Sequence, residues 1–144
     1  MLKGIPSVLS PDLLKILMEM GHGNDLVLAD GNFPAAAFAQ RLVRLDGHDV
    51  PEVLDAILKF FPLDQYTEYP VAVMSVVEGD TTKPKRYDDF RKLVKKYNPD
   101  FRDFEYVERF DFYERAKKAY AIVATGDLAL YACIILKKGV LTSI

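Results

Sequence analysis

The chain has a single cysteine, Cys133, so it can form neither an internal disulfide nor a zinc site made of cysteine alone. A lone thiol favours a reducing compartment. Charge of one sign is also scarce: 19 basic side chains stand against 21 acidic ones, for a net charge of -2 and a pI near 5.7. Neither nucleic acid nor a membrane surface gains any general attraction from that balance, and a neutral or weakly charged partner is the expectation. Long apolar runs are missing, since none approaches the ~20 residues that a membrane helix needs. The opening MLKGIPSVLSPD meets Pro6 and Pro11 before it can build the apolar core of a secretory signal. Repeats, low-complexity tracts and Gly/Ser linkers are absent too. Residues 1–144 therefore read as one cytoplasmic domain. A chain of this size buries about 70% of its surface on folding. It has little depth for a private cleft, which opens the way to a site shared between subunits.

What is present is an alternation of helical and strand-like segments. Ser10-Pro11-Asp12 supplies an N-cap, a proline at the first helical position and an early carboxylate, and Leu13, Leu14, Ile16, Leu17 and Met20 then recur at helical spacing. That helix stops at Gly21-His22-Gly23. Leu26–Ala29 reads as a buried strand opening into the turn Asp30-Gly31-Asn32-Phe33-Pro34. A short helix from Pro34 over AAAFAQ, a strand at Leu42–Leu45 and a helix carrying Val53, Leu54, Ile57, Leu58 and Phe61 follow. The run 71–77 is a further strand, and Tyr87, Phe90, Leu93, Val94 and Tyr97 mark a helix broken by Asn98-Pro99. Strands at 104–107, 121–124 and 132–136 enclose the helical FYERAKKA. The pattern predicts an α/β fold, a three-layer α/β/α domain with a mostly parallel or mixed central sheet.

Chemistry concentrates around the first strand. Glycines on both sides of His22 leave its imidazole open, and Asp30 emerges at the strand's carboxyl end, where open α/β sheets bind ligands. Histidine titrates near pH 6.5 when unperturbed, which suits proton exchange in either direction. The alternative is that His22 caps the first helix, with Gly21 or Gly23 as the left-handed residue, and that Asp30 only starts a turn. His48, between Asp46 and Asp49, reads as a turn or capping residue. His22, His48 and Asp30 lack ligand-pair spacing, so no metal is expected. GHGND and VEGD lack both the P-loop lysine and the three-glycine dinucleotide spacing, which argues against a nucleotide cofactor. Residues 83–120 interleave aromatics with twelve basic and eight acidic side chains, and the mixing of signs reads as a solvated helix face rather than a nucleic-acid surface.

Four ordered motifs run nearly end to end: GHGND-LVLAD-GNFP at 21–34, VEGDT at 77–81, RFDFYERAKKAYAIVATGD at 109–127 and YACIILKKGV at 131–140. Together they resemble the fucose mutarotase family, which shares a superfamily and a ribose pyranase-like fold with the D-ribose pyranases. Arg109 before FYER, with ILKKGV, favours the fucose branch. The resemblance implies that His22 is the catalytic histidine, that Asp30, Arg109 and Tyr131 contact sugar, and that the Ala132 backbone lies in the same stretch. Cys133 stands where the family carries asparagine, and Gly31 where alanine is common. A thiol is a weaker hydrogen-bonding group than an amide, so sugar preference or affinity is expected to differ if Cys133 points into the site.

The activity so implied is interconversion of the α and β anomers of L-fucose or a related neutral monosaccharide, without a cofactor. His22 would move protons during ring opening and reclosure, while Asp30 would accept sugar hydroxyls or hold His22. Phe112 and Tyr113 are candidates either for the apolar end of the sugar or for the core. Glu114 and Arg115 read as an exposed or interface pair. The family also implies a homo-oligomer, a decameric ring with sites near subunit boundaries. Two other readings remain open: a pyranose/furanose isomerase of the ribose type, and a sugar-binding ring without catalysis.

Overall fold

The computed structural model describes residues 1–144 and contains five helices and six strands. Helix α1 (Pro11–Glu19) starts where the cap residues predict, with Ser10 Oγ accepting the Leu13 amide at 3.2 Å. Strand β1 (Asp25–Ala29) follows, then α2 (Ala35–Phe38), β2 (Leu42–Leu45) and α3 (Val50–Leu58). The Asp49 carboxylate caps α3 through the Glu52 amide. His48, beside that cap, pairs its Nδ1 with Glu52 at 2.9 Å. Strand β3 (Val71–Met74), α4 (Tyr87–Tyr97), β4 (Glu105–Val107), α5 (Arg109–Lys118), β5 (Ala121–Thr125) and β6 (Ile134–Lys137) complete the chain.

The sheet order is β2-β5-β1-β6-β3-β4. Five strands point the same way, and β6 alone runs antiparallel, between β1 and β3. The mixed sheet predicted from the sequence is thus mixed through one strand. Alternate residues of each strand face opposite layers. Leu26, Leu28, Val73 and Ile134 pack with α1, α3 and α4 in a core of 28 buried residues. Val27, Ala72, Ile122 and Ile135 pack with α2 and α5 in one of 12, and this thinner layer leaves room for a pocket.

The strand predicted at 104–107 begins one residue late, at Glu105, and three other predicted elements fall short for reasons outside themselves. The 71–77 run leaves the sheet after Met74, because its neighbour β6 begins only at Ile134, opposite Val73. The 132–136 strand starts late because Tyr131 adopts φ 60 and bends the chain ahead of it. Helix α2 ends at Phe38, with Ala39 extended, as the chain turns to pair β2 with β5. Two glycines allow close backbone crossings: a Cβ at Gly126 would stand 2.0 Å from the Asp46 carbonyl oxygen, and one at Gly139 would stand 2.4 Å from that of Leu63.

Candidate active site

The carboxyl ends of the parallel strands and the start of β6 meet at one edge of the sheet, as ligand sites in open α/β sheets do. A pocket of about 250 Å³ opens there. Asp30 enters it from the end of β1, Met74 from β3, Arg109 and Tyr113 from successive turns of α5, and Tyr131 and Cys133 from the segment before β6. Five of the residues singled out in the sequence, Asp30, Arg109, Tyr113, Tyr131 and Cys133, are therefore brought together. Ala132 lies between two of them, but its side chain is fully buried in the larger core, so only its backbone remains for a ligand.

Asp30 is buried, and each of its oxygens is engaged: Oδ1 accepts the Asn32 amide at 2.9 Å and Oδ2 accepts the Cys133 thiol at 3.3 Å. The Asp30 amide returns a bond to Sγ at 3.5 Å. Cys133 thus points at the pocket floor and holds the carboxylate in place. Its thiol is pushed well above its usual range, first by burial and then by the Asp30 charge, so it stays protonated and donates.

Arg109 is exposed, and its Nε donates to the Tyr113 hydroxyl at 3.0 Å, which raises its pKa. Tyr113 stacks edge-on with Phe33, while Phe112 is fully buried against the same ring. The two aromatics left open by the sequence divide, with Phe112 in the core and Tyr113 at the pocket. Glu114 and Arg115 do not pair with each other. Glu114 meets Lys117 at 2.8 Å, and Arg115 joins Asp25 and Glu105 at 2.9 and 3.2 Å.

Tyr131 is the one non-glycine residue with positive φ. That conformation costs of order 1–3 kcal/mol and has to be held from outside. Its hydroxyl donates to Asp80 Oδ2 at 2.5 Å and accepts the Val77 amide at 3.2 Å. The bond to Asp80 raises the Tyr131 phenol, while bonds from Thr82 and Tyr131 hold the Asp80 carboxyl low.

His22 stands elsewhere. It precedes β1, whereas Asp30 follows it, and five strand residues at about 3.3 Å each put roughly 17 Å between the two ends. No carboxylate of the pocket touches the imidazole. The group that does is Asp64, whose Oδ1 lies 3.1 Å from His22 Nε2 and also accepts the Tyr66 amide at 3.1 Å. The Asp64 side chain is 7% exposed and the His22 side chain 47%, so the imidazole is anchored on one side and open on the other. A carboxylate has no proton to give, so Nε2 carries the hydrogen and Nδ1 keeps its lone pair when the ring is neutral. Tyr66 flanks the ring at 5.5 Å between centroids.

Nor does His22 cap α1. The Lys138 ammonium does so, donating to the Leu17 and Met20 carbonyls at 2.7 and 2.6 Å, and burial lowers its pKa. Gly23 takes the left-handed conformation in the turn beyond. Asp64 escaped the sequence reading, and Lys138 stood in the ILKKGV motif without a role of its own. The only signal for Asp64 was an acidic residue directly after the apolar Phe61-Pro62-Leu63, where burial demands a partner.

Residues 3–141 match the model of the RbsD / FucU transport protein family. The chain is 50% identical over 140 residues to an L-fucose mutarotase of Actinobacillus pleuropneumoniae, covering 97% of each chain. Against a fucose mutarotase of Mus musculus it is 49% identical over 155 residues, 97% of this chain and 95% of that one. The fucose mutarotase of Streptococcus pneumoniae, solved in complex with L-fucose, superimposes with a TM-score of 0.93 at 53% identity, covering 98% of this chain and all of that one. With the family matched over residues 3–141, the fold superimposing and the identity running nearly end to end, the chain belongs to the RbsD / FucU family.

Proposed function

We propose that this protein is a mutarotase that interconverts the α and β anomers of L-fucose. The observation that carries the reading is 53% identity over nearly the whole chain to a mutarotase solved with L-fucose, joined to a pocket of monosaccharide size at the equivalent fold's ligand edge. Ring opening delivers a proton to the ring oxygen and removes one from the anomeric hydroxyl, and reclosure on the other face of the carbonyl inverts the centre. An imidazole near neutrality exchanges both protons, a contribution worth typically 10²–10⁴-fold. His22 takes that role, with Asp64 fixing its tautomer. Asp30 accepts sugar hydroxyls, Arg109 donates to them, and Tyr131, the Ala132 backbone and Cys133 complete the contacts. No cofactor enters this chemistry.

His22 and the pocket lie at opposite ends of one strand, so the reaction needs two copies, one bringing His22 to the other's pocket. The two ends carry different exposed apolar residues: Val77, Phe110 and Leu130 near the pocket, and Tyr66 beside His22. A contact between unlike surfaces propagates head to tail, and it makes a ring where the rotation between copies closes. We assign the protein to a decameric ring, with residues 1–144 of each copy forming one domain, in the reducing cytoplasm.

Magnetisation exchange between the anomeric protons of fucose, ribose and galactose tests the reading with native protein and His22→Ala. Fucose exchange should accelerate with the native protein and not with the variant. Acceleration of ribose alone would select a pyranase instead, and sugar binding without accelerated exchange would select a binding ring.

A further inference from the structure

The VEGDT segment takes no part in proton transfer, yet two of its residues, Val77 and Asp80, line the pocket. Gly79 at φ 84 lets the chain turn there, and Asp80 Oδ1 closes the turn by accepting the Thr82 amide at 2.8 Å. One side chain joins this turn to the pocket's other wall. The Tyr131 hydroxyl, bonded to Asp80 and to the Val77 amide, spans the two. A phenol has one proton, and a carboxylate only accepts, so the Tyr131 proton is committed to Asp80. With one lone pair also engaged, the ring is the larger surface left to meet a sugar. Asp80 is exposed and belongs to neither apolar core, so its carboxylate contributes no core packing. Tyr131, in its left-handed conformation, depends on such an outside hold.

We propose that Asp80 is a positioning residue: by holding the Tyr131 hydroxyl it fixes the Tyr131 ring and the 77–82 turn as one wall of the sugar pocket, and so sets affinity for the sugar. The proposal rests on the mutarotase reading above. A wall that touches the sugar equally before and during ring opening supplies uniform binding. Its loss raises KM and leaves kcat nearly alone.

Exchange kinetics with Asp80→Ala, Asp80→Asn, Tyr131→Phe and the Asp80→Ala/Tyr131→Phe double variant test this. Asp80→Ala should raise the fucose KM about tenfold with kcat lowered less than about threefold, the scale of one charge-assisted hydrogen bond. The amide oxygen of Asp80→Asn still accepts the phenol, so that variant should recover most of the loss. The double variant should be no worse than the poorer single one. The Tyr131 Cζ resonance of ¹³C-tyrosine-labelled protein reads the contact without sugar, and it should move in Asp80→Ala and stay near its native position in Asp80→Asn. An unmoved resonance in Asp80→Ala, an unchanged KM, a loss confined to kcat, or additive effects in the double variant would each overturn the proposal. Native protein that fails to accelerate fucose exchange would overturn the mutarotase reading instead, while the resonance still reports on the contact.

Discussion

If one copy brings His22 to another copy's pocket, two inactive variants should rescue each other. The strand between His22 and Asp30 is five residues long, roughly 17 Å at about 3.3 Å per residue, well beyond the reach of an imidazole. His22→Ala removes the proton shuttle and should lose most of the 10²–10⁴-fold acid–base contribution. Asp30→Asn keeps the shape of a buried side chain but removes a charged acceptor for sugar hydroxyls, at a cost of roughly 1.5–3 kcal/mol, or about 10- to 150-fold. Assembled alone, each variant should be nearly silent. Co-expressed in equal amounts, half the histidine donors and half the pocket donors are intact, so about one site in four combines both intact halves. The mixture should recover about a quarter of native fucose exchange, read from anomeric-proton magnetisation transfer, with native mass spectrometry confirming mixed rings. Mixed rings with no more activity than the separate variants would refute the shared site.

Other expectations follow from single contacts. Cys133→Asn restores an amide at the pocket floor, and fucose affinity should change by about 5- to 150-fold if the thiol now leaves a hydroxyl poorly matched; calorimetry with fucose measures it, and an unchanged affinity would put Cys133 outside the contact shell. Phe112→Ala empties a fully buried site among Phe33 and Tyr113 and should cost about 3–5 kcal/mol in denaturant unfolding; a cost below about 1 kcal/mol would contradict the packing described. Gly126→Ala, whose Cβ would stand 2.0 Å from a backbone oxygen, should destabilise by more than about 2 kcal/mol or prevent folding. Burial raises the folded-state pKa of Cys133, so the unfolded chain loses its thiol proton first as pH rises. The thiol's contribution is whole below about pH 8.5 and fades above it; unfolding midpoints between pH 7 and 10 should fall less steeply in Cys133→Ala, and parallel slopes would exclude the effect.

Much of the fold was legible because its signals are local. The Ser10-Pro11 start of α1, the Asn98-Pro99 end of α4 and the apolar runs of β1 and β5 depend on residues within a few positions of one another. Strand ends were less legible, since β3 stops where β6 ceases to offer a partner, and β6 comes from residues some sixty positions later. The pocket was legible in part: Asp30 at the end of an apolar strand marks its edge, and Arg109, Tyr131 and Cys133 were grouped with Asp30 by resemblance alone. Asp64 and Asp80 were not legible as the partners of His22 and Tyr131. One isolated aspartate looks like any other until its partner, His22 or Tyr131, is brought to it across 42 or 51 positions.

By itself, the sequence determined the class of fold, the near-neutral surface, and a histidine between two glycines ahead of a strand that ends in aspartate. Those features are set by composition and by neighbours along the chain. Once that segment folds as a strand the histidine and the aspartate must stand at its opposite ends, and the tertiary structure alone decided which groups meet them there, Asp64 at His22 and Cys133 at Asp30. A β-strand is stiff and extended, so residues close in sequence on its two sides are held far apart in space. The antiparallel insertion of β6 then carries Cys133 to Asp30 at one end and Lys138 to α1 beside His22 at the other.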